Sequence, residues 1–216
     1  MRLGADAVVA FLERVRADTE EAQLELDRLD ALAGDGDHGV TMVLGWRAVC
    51  VALAGADIAT PGEVLRRAAA AFADVGGSAG PLWGTALLRA GRALGDATEL
   101  DVASLASAAA AATQGMEERG RCAEGDGTVV DAMAPAAAAL ANGAHTGAPM
   151  CDALRAAAAA ASAGAAATAD LVPRRGRAAR SPERVRGHED AGARAAAVFW
   201  SVAGRSGTGG CVAAAS

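Results

Sequence analysis

Three aspartates fall within eight residues, in the run Asp30-x4-Asp35-Gly36-Asp37-His38-Gly39. Carboxylates this close repel one another unless a cation sits among them. Oxygen-only donors suit Mg2+ or Ca2+, and a few carboxylates plus a phosphate are the usual way Mg2+ is held. The Ca2+-loop spacing Asp-x-Asp-x-Asp-Gly, with its closing Glu, is absent. Asp30 falls in the last turn of the preceding helical segment, where the helix dipole disfavours an anion unless a cation compensates it. The same composition also describes a solvated Asp/Gly turn, and His38 alone suits a cap as well as a ligand.

Three further segments could handle an anion. Gly76-Gly77-Ser78-Ala79-Gly80-Pro81-Leu82-Trp83-Gly84-Thr85 leads a Gly-rich loop into a helix N-terminus. Backbone amides in such a place bind anions, although a plain helix–helix turn has the same composition. Gly125-Asp126-Gly127-Thr128 has the same character, and Asp126 or Thr128 can equally cap the next helix. The fourth segment carries Arg174, Arg175, Arg177, Arg180, Arg184 and Arg186, then Gly187-His188-Glu189-Asp190-Ala191-Gly192. It reads as a solvated basic loop or as the positive charge of a phosphate site. All 20 basic residues are arginine. A Walker-A lysine, a kinase-type phosphate lysine and a Schiff-base lysine are therefore excluded. Phosphate can be met here only by metal ions, amides and Arg.

Periodicity supplies the scaffold. Val8, Phe11, Leu12, Val15, Leu24, Leu26 and Leu29 recur at helical spacing and predict a first helix over about 5–32. Seven more are expected at about 40–53, 61–75, 82–94, 102–119, 129–140, 150–172 and 192–202. Thr60-Pro61 marks one start, as a cap followed by Pro at the first helical position. Short connections favour antiparallel neighbours. The expected fold class is all-α, an eight-helix antiparallel up-and-down barrel or bundle over 1–204 with a flexible tail over 205–216. The four Gly-rich segments follow helices one, three, five and seven, so an up-and-down path gathers them at one end. Trp46, Trp83 and Trp200 read as core anchors, and His145 as a loop residue.

Composition agrees. Hydrophobic residues reach 52%, dominated by Ala, while aromatics are 3% with no Tyr. Closely spaced helices fit this balance and an all-β domain does not. A net charge of −6 disfavours nucleic-acid binding. The most membrane-like stretch, 153–172, is mainly Ala and is broken by Arg155, Gly164 and Asp170, and the N-terminus carries no signal-peptide pattern. A soluble cytoplasmic protein is expected, with Cys50, Cys122, Cys151 and Cys211 as small buried residues in a reducing compartment.

Taken in order, the four segments resemble the nucleotide-binding (L) subunit of dihydroxyacetone kinase, also found as the C-terminal domain of single-chain dihydroxyacetone kinases. The resemblance runs over nearly the whole chain, and Leu29-Asp30-x4-Asp35-Gly36-Asp37-His38-Gly39 is its most specific element. It implies an eight-helix barrel binding ADP or ATP at one end. Asp30, Asp35 and Asp37 match aspartates that hold two Mg2+ ions and are catalytic together with Arg177, which lies in a segment covering the nucleotide. His38, Gly39, Val40 and Thr41, with Ser78, Ala79 and Gly80, match groups that touch the nucleotide. Gly125, Thr128 and Val129 match the third loop, and Asp190, Ala191 and Gly192 the rim. The family's Gly-Gly-x-Ser-Gly is here Gly77-Ser78-Ala79-Gly80, its Gly-Asp-Lys-Thr-Met is Gly125-Asp126-Gly127-Thr128-Val129, and its Asp-Pro-Gly is Asp190-Ala191-Gly192.

The implied function is phosphoryl transfer to dihydroxyacetone or a related small ketose held by a sugar-binding (K-type) partner subunit. ATP is one donor; the other is a bound ADP recharged by a phosphoenolpyruvate-dependent phosphocarrier. A homodimer is compatible with this. The alternatives are a fatty-acid-kinase-like nucleotide-binding domain, which would need a further acyl-protein-binding domain, and a non-catalytic nucleotide-binding regulatory module.

Overall fold

Helices form nearly everywhere that apolar residues recur at helical spacing. The computed structural model describes residues 3–206. Its elements are α1 (Ala5–Asp30), α2 (His38–Leu53), α3 (Pro61–Ala73), α4 (Ala79–Leu94), α5 (Val102–Gly120), α6 (Val130–Thr146) and α7 (Met150–Ala167). A 3-10 turn (Thr168–Asp170), a second (Ala178–Arg180), the one-turn α8 (Pro182–Val185) and α9 (Ala191–Ser206) complete the order. Among the described residues the only β feature is an isolated bridge between Leu3 and Leu100.

The starts follow their local chemistry. The Thr60 side chain accepts the Glu63 amide at 3.2 Å, with Pro61 at the first helical position. Asp101 and Ser104 cap α5 reciprocally. Three boundaries differ from expectation for identifiable reasons. Ala79, Gly80 and Pro81 belong to the first turn of α4 rather than to the loop, because Pro needs no amide partner in a first turn. α6 runs past 140 to Thr146, with Pro135 inside it, because Gly143 packs against Ala153 instead of breaking the helix. His145 is consequently a last-turn helical residue, not a loop residue. α9 runs through Arg205 and Ser206, so the start of the expected tail is helical, and 207–216 lie outside the described residues.

Each long helix packs on its neighbours in chain order, and α9 returns to α1, closing a ring of eight. The expected all-helical barrel is what forms. Its walls approach closely because small residues sit at the crossings. A Cβ at Gly45 would stand 2.4 Å from the Phe72 ring, and one at Gly91 2.7 Å from the Gly62 carbonyl. Trp46 anchors the interior, with ring centroids 4.8 Å from Phe72, 5.4 Å from Trp83 and 5.8 Å from Phe199. Around the barrel axis lies an apolar cavity of about 260 Å³, bordered by Phe11, Leu87, Met133, Leu154 and Phe199. All three tryptophans are buried, as expected.

Cys50 and Cys122 are free, half-buried thiols, and Cys151 is buried. Cys211 lies outside the described residues. No helix among the described residues is long and apolar enough to cross a membrane.

One glycine separates propensity from packing. A Cβ at Gly164 in α7 would stand 2.0 Å from the Asp131 carbonyl oxygen of α6. Ala is favoured over Gly within a helix by about 1 kcal/mol. Backbone against backbone cannot yield as a flexible side chain would, and overpacking costs about 1–3 kcal/mol. Gly164→Ala should therefore lower stability, read as a reduced urea midpoint at unchanged m-value.

Candidate functional site

The connections after α1, α3, α5 and α7 meet at one end of the barrel and enclose a cavity of about 260 Å³. Leu29 and Trp83 border it from the helices. Trp83 also borders the apolar axial cavity and thus separates the two.

The first connection is organised by two aspartates in the last turns of α1. Asp30 Oδ2 accepts the amides of Gly36 (2.9 Å) and Asp37 (3.3 Å). Asp27 Oδ1 accepts the amides of Gly39 (2.7 Å) and Val40 (3.1 Å) at the start of α2. The chain thereby folds back so that Asp30, Asp35 and Asp37 each offer an oxygen within 4.8 Å of the others. Asp35 is exposed and ion-paired with Arg177, whose hydrogen bond holds its carboxyl below the usual range. Asp37 is pushed up by its contact with Asp35 and then by burial. The rise at Asp37 is what a second like charge in the same place produces. His38 borders the cavity with a buried Nε2 that has no partner, and burial lowers its pKa, favouring the neutral ring.

In the second connection Gly77, Ser78 and Ala79 border the cavity, and the Ser78 side chain caps nothing in α4. Gly80 does not border it. Its α-carbon sits where a Cβ would be 2.0 Å from the Val75 carbonyl, so its role is the close turn into α4.

The third connection presents Cys122, Thr128 and Val129 to the cavity. Asp131, buried in the first turn of α6, accepts the Gly125 amide through Oδ1 (2.5 Å) and the Thr128 amide through Oδ2 (2.7 Å). The fourth brings Arg175, Gly176, Arg177 and the stretch from His188 to Gly192. Asp190 accepts the Ala193 amide at 2.8 Å, capping α9, while its own amide donates to the Thr168 hydroxyl at 2.8 Å. Burial pushes the Asp190 carboxyl up to about 6, against the opposing pull of its amide donors; nearby Asp131 raises it further.

Of the residues read from sequence, Asp30, Asp37, His38, Thr41, Ser78, Ala79, Thr128, Val129, Arg177, Asp190, Ala191 and Gly192 border the cavity. Asp35 joins them through the acidic cluster. Gly39, Val40, Gly80 and Gly125 stand behind it: three of their amides are held by carboxylates and Gly80 makes a turn. Asp27, Asp131 and Thr168 were not anticipated. Asp27 lies one turn before Asp30 on the same helix face, and Thr128-x-x-Asp131 has the capping-box spacing, so both left a readable signal.

Residues 32–204 match the model of the DAK2 domain. The chain belongs to the DAK2 domain family. The D-erythrulose kinase of Mycolicibacterium smegmatis is 40% identical over 195 residues, covering 89% of this chain and 34% of that protein. The L-erythrulose kinase of Pectobacterium atrosepticum is 37% identical over 201 residues, covering 89% of this chain and 33% of that protein. The chain thus spans about a third of the length of these relatives. The ADP-binding subunit DhaL of PEP-dependent dihydroxyacetone kinase 1 of Listeria innocua is 34% identical, with 88% of each chain covered. Among solved structures, the dihydroxyacetone kinase of C. freundii in complex with AMP-PNP and Mg2+ superposes with a TM-score of 0.69 at 27% identity, over 95% of this chain and 35% of that one.

The Asp190 shift fixes a sign for pH dependence in this DAK2 domain. An unfolded Asp titrates near about 3.9, so between about 4 and 6 the folded state binds more protons at Asp190 than the unfolded state does. Stability contributed by this group is full below that window and falls as pH rises through it. Asn caps a helix as well as Asp. Asp190→Asn should therefore gain roughly 1–3 kcal/mol on the wild type at pH 7 and nothing at pH 4, measured by urea denaturation at both pH values.

Proposed function

We propose that this DAK2 domain is the nucleotide-binding half of a ketose kinase, holding ADP or ATP with two Mg2+ ions. The observation that carries the reading is the cluster of Asp30, Asp35 and Asp37, whose oxygens lie within 4.8 Å of one another at the mouth of a cavity that Arg177 also borders. The donor set is oxygen only, and hard divalent cations of the Mg2+ type prefer it. Asp30, Asp35 and Asp37 would hold the ions; when bound, Mg2+ neutralises and orients the phosphates.

The chain's own groups do the remainder. Ser78 Oγ and the Thr128 hydroxyl lie at the cavity wall as donors for phosphate or ribose oxygens. Leu82, Val129 and Ala79 offer apolar surface to the base. Arg177 turns from Asp35 toward the transferring phosphoryl group and stabilises charge that grows there. Gly39, Val40 and Gly125 serve by holding the loops through their engaged amides rather than by touching the nucleotide. By likeness to the dihydroxyacetone kinase subunits, a sugar-binding subunit or domain of the K type presents the ketose to the cavity mouth. Dihydroxyacetone and the four-carbon erythrulose are the substrates to assay, given the names of the relatives. Either ATP exchanges at the site, or a retained ADP is recharged by a phosphoenolpyruvate-dependent carrier. ADP surviving gel filtration of the purified protein supports the second route.

Asp35→Asn is the test, because the Asp35 carboxylate engages Arg177 and its own amide, whereas that of Asp30 holds the amides of Gly36 and Asp37 and with them the fold of the turn. Titration calorimetry should give Mg2+-dependent ADP binding in the wild type and a loss of roughly 100-fold or more, about 3 kcal/mol, in the variant. Undiminished affinity in Asp35→Asn would remove the acidic cluster from the site and the proposal with it.

A further inference from the structure

We propose that Asp131 is a positioning residue that sets both the nucleotide-facing loop and the arginine segment carrying Arg177, an inference that rests on the nucleotide reading above. Asp131 touches neither the cavity nor Arg177 directly; it acts through backbone. Both carboxylate oxygens are occupied, Oδ1 by the Gly125 amide at 2.5 Å and Oδ2 by the Thr128 amide at 2.7 Å. Charge-assisted bonds of this kind are the stronger class of hydrogen bond. The bracketed loop turns twice through conformations that favour glycine, with φ +91° at Gly125 and +69° at Gly127. Left to itself such a loop samples many shapes; the two-oxygen clamp selects one.

That shape is transmitted in two directions. On the cavity side it sets Thr128 and Val129, the residues this loop presents to a ligand. On the outer side the loop carbonyl of Asp126 accepts the Arg174 amide at 2.9 Å. The Arg174 and Arg175 guanidinium groups stand 3.9 Å from the Asp126 carboxylate, and a Cβ at Gly127 would stand 3.2 Å from the Pro173 α-carbon. The arginine segment therefore leaves the barrel wall already fastened to the third loop, three residues before Arg177. The Oδ2 bond to the Thr128 amide is the back-reaching half of a capping box at the start of α6. The Oδ1 bond goes beyond it, to the amide of Gly125 three residues further out, and it is this second bond that ties the loop to the helix.

Asp131→Asn keeps the shape of the side chain but offers one acceptor where two are needed. It should remain helical by circular dichroism, bind Mg2+-ADP about tenfold more weakly by calorimetry, and lower phosphoryl transfer with a sugar-binding partner through kcat as well as through KM for nucleotide. In a double-mutant cycle with Arg177→Ala the two losses in kcat should overlap rather than multiply, because one residue acts through the other. Gly127→Ala, which leaves Asp131 in place and strains the loop where it meets Pro173, should reproduce the overlap and serves if Asp131→Asn does not fold. Wild-type Mg2+-ADP affinity in both variants, or losses that simply multiply with that of Arg177→Ala, would overturn the inference. A wild-type protein that binds no Mg2+-ADP would instead overturn the nucleotide reading itself.

Discussion

Three carboxylates confined within 4.8 Å of one another are an arrangement that water and thermal motion would disperse. Everything at this end of the barrel works against that dispersal. Asp30 is fixed by α1 and accepts two amides of the following turn, so the turn carrying Asp35 and Asp37 is folded back onto it. Arg177 arrives from a segment well over a hundred residues away and supplies a positive charge to Asp35. The residual repulsion remains visible in the upward shift of Asp37. A divalent cation relieves what one guanidinium leaves, and this unrelieved charge is the physical basis for reading the site as a metal–phosphate centre.

The same device recurs around the rim. Asp27 holds the start of α2, Asp131 holds the third loop, and Asp190 holds the start of α9. Asp27 and Asp131 are carboxylates on rigid helices accepting amides from glycine-rich stretches, and Asp190 caps the helix that follows it. Glycine supplies the freedom to approach a ligand closely, and the carboxylate removes the freedom that is not wanted. The cost appears at Asp190, whose carboxyl is raised by burial to about 6.

Much of this was legible along the chain. The helical period of Val8, Leu12, Val15 and Leu26 placed α1, and the Thr60-Pro61 pair fixed the start of α3, because those signals depend on residues a turn apart. The boundaries that moved were decided by contacts between helices. Gly143 reads as a stop until Ala153 is seen against it, and Gly80 reads as loop until the Val75 carbonyl is seen beneath it. For the site, residue types named the acids and the arginines, and the family resemblance put them in one place. It did not distinguish amides that face the cavity from those, at Gly39, Val40 and Gly125, already taken by Asp27 and Asp131.

The amino-acid sequence by itself determined the class of fold and bounded the chemistry. Without lysine, a phosphate could be met only by metal ions, amides and arginine; alanine-rich helices joined by short turns could only pack against their neighbours. The tertiary structure alone decided that α9 closes on α1, which brings a basic segment onto an acidic turn. It also decided which carboxylates stand in the acidic cluster, which hold backbone, and that Asp30 does both. That choice depends on partners far apart in the chain, and no local pattern of residues encodes it.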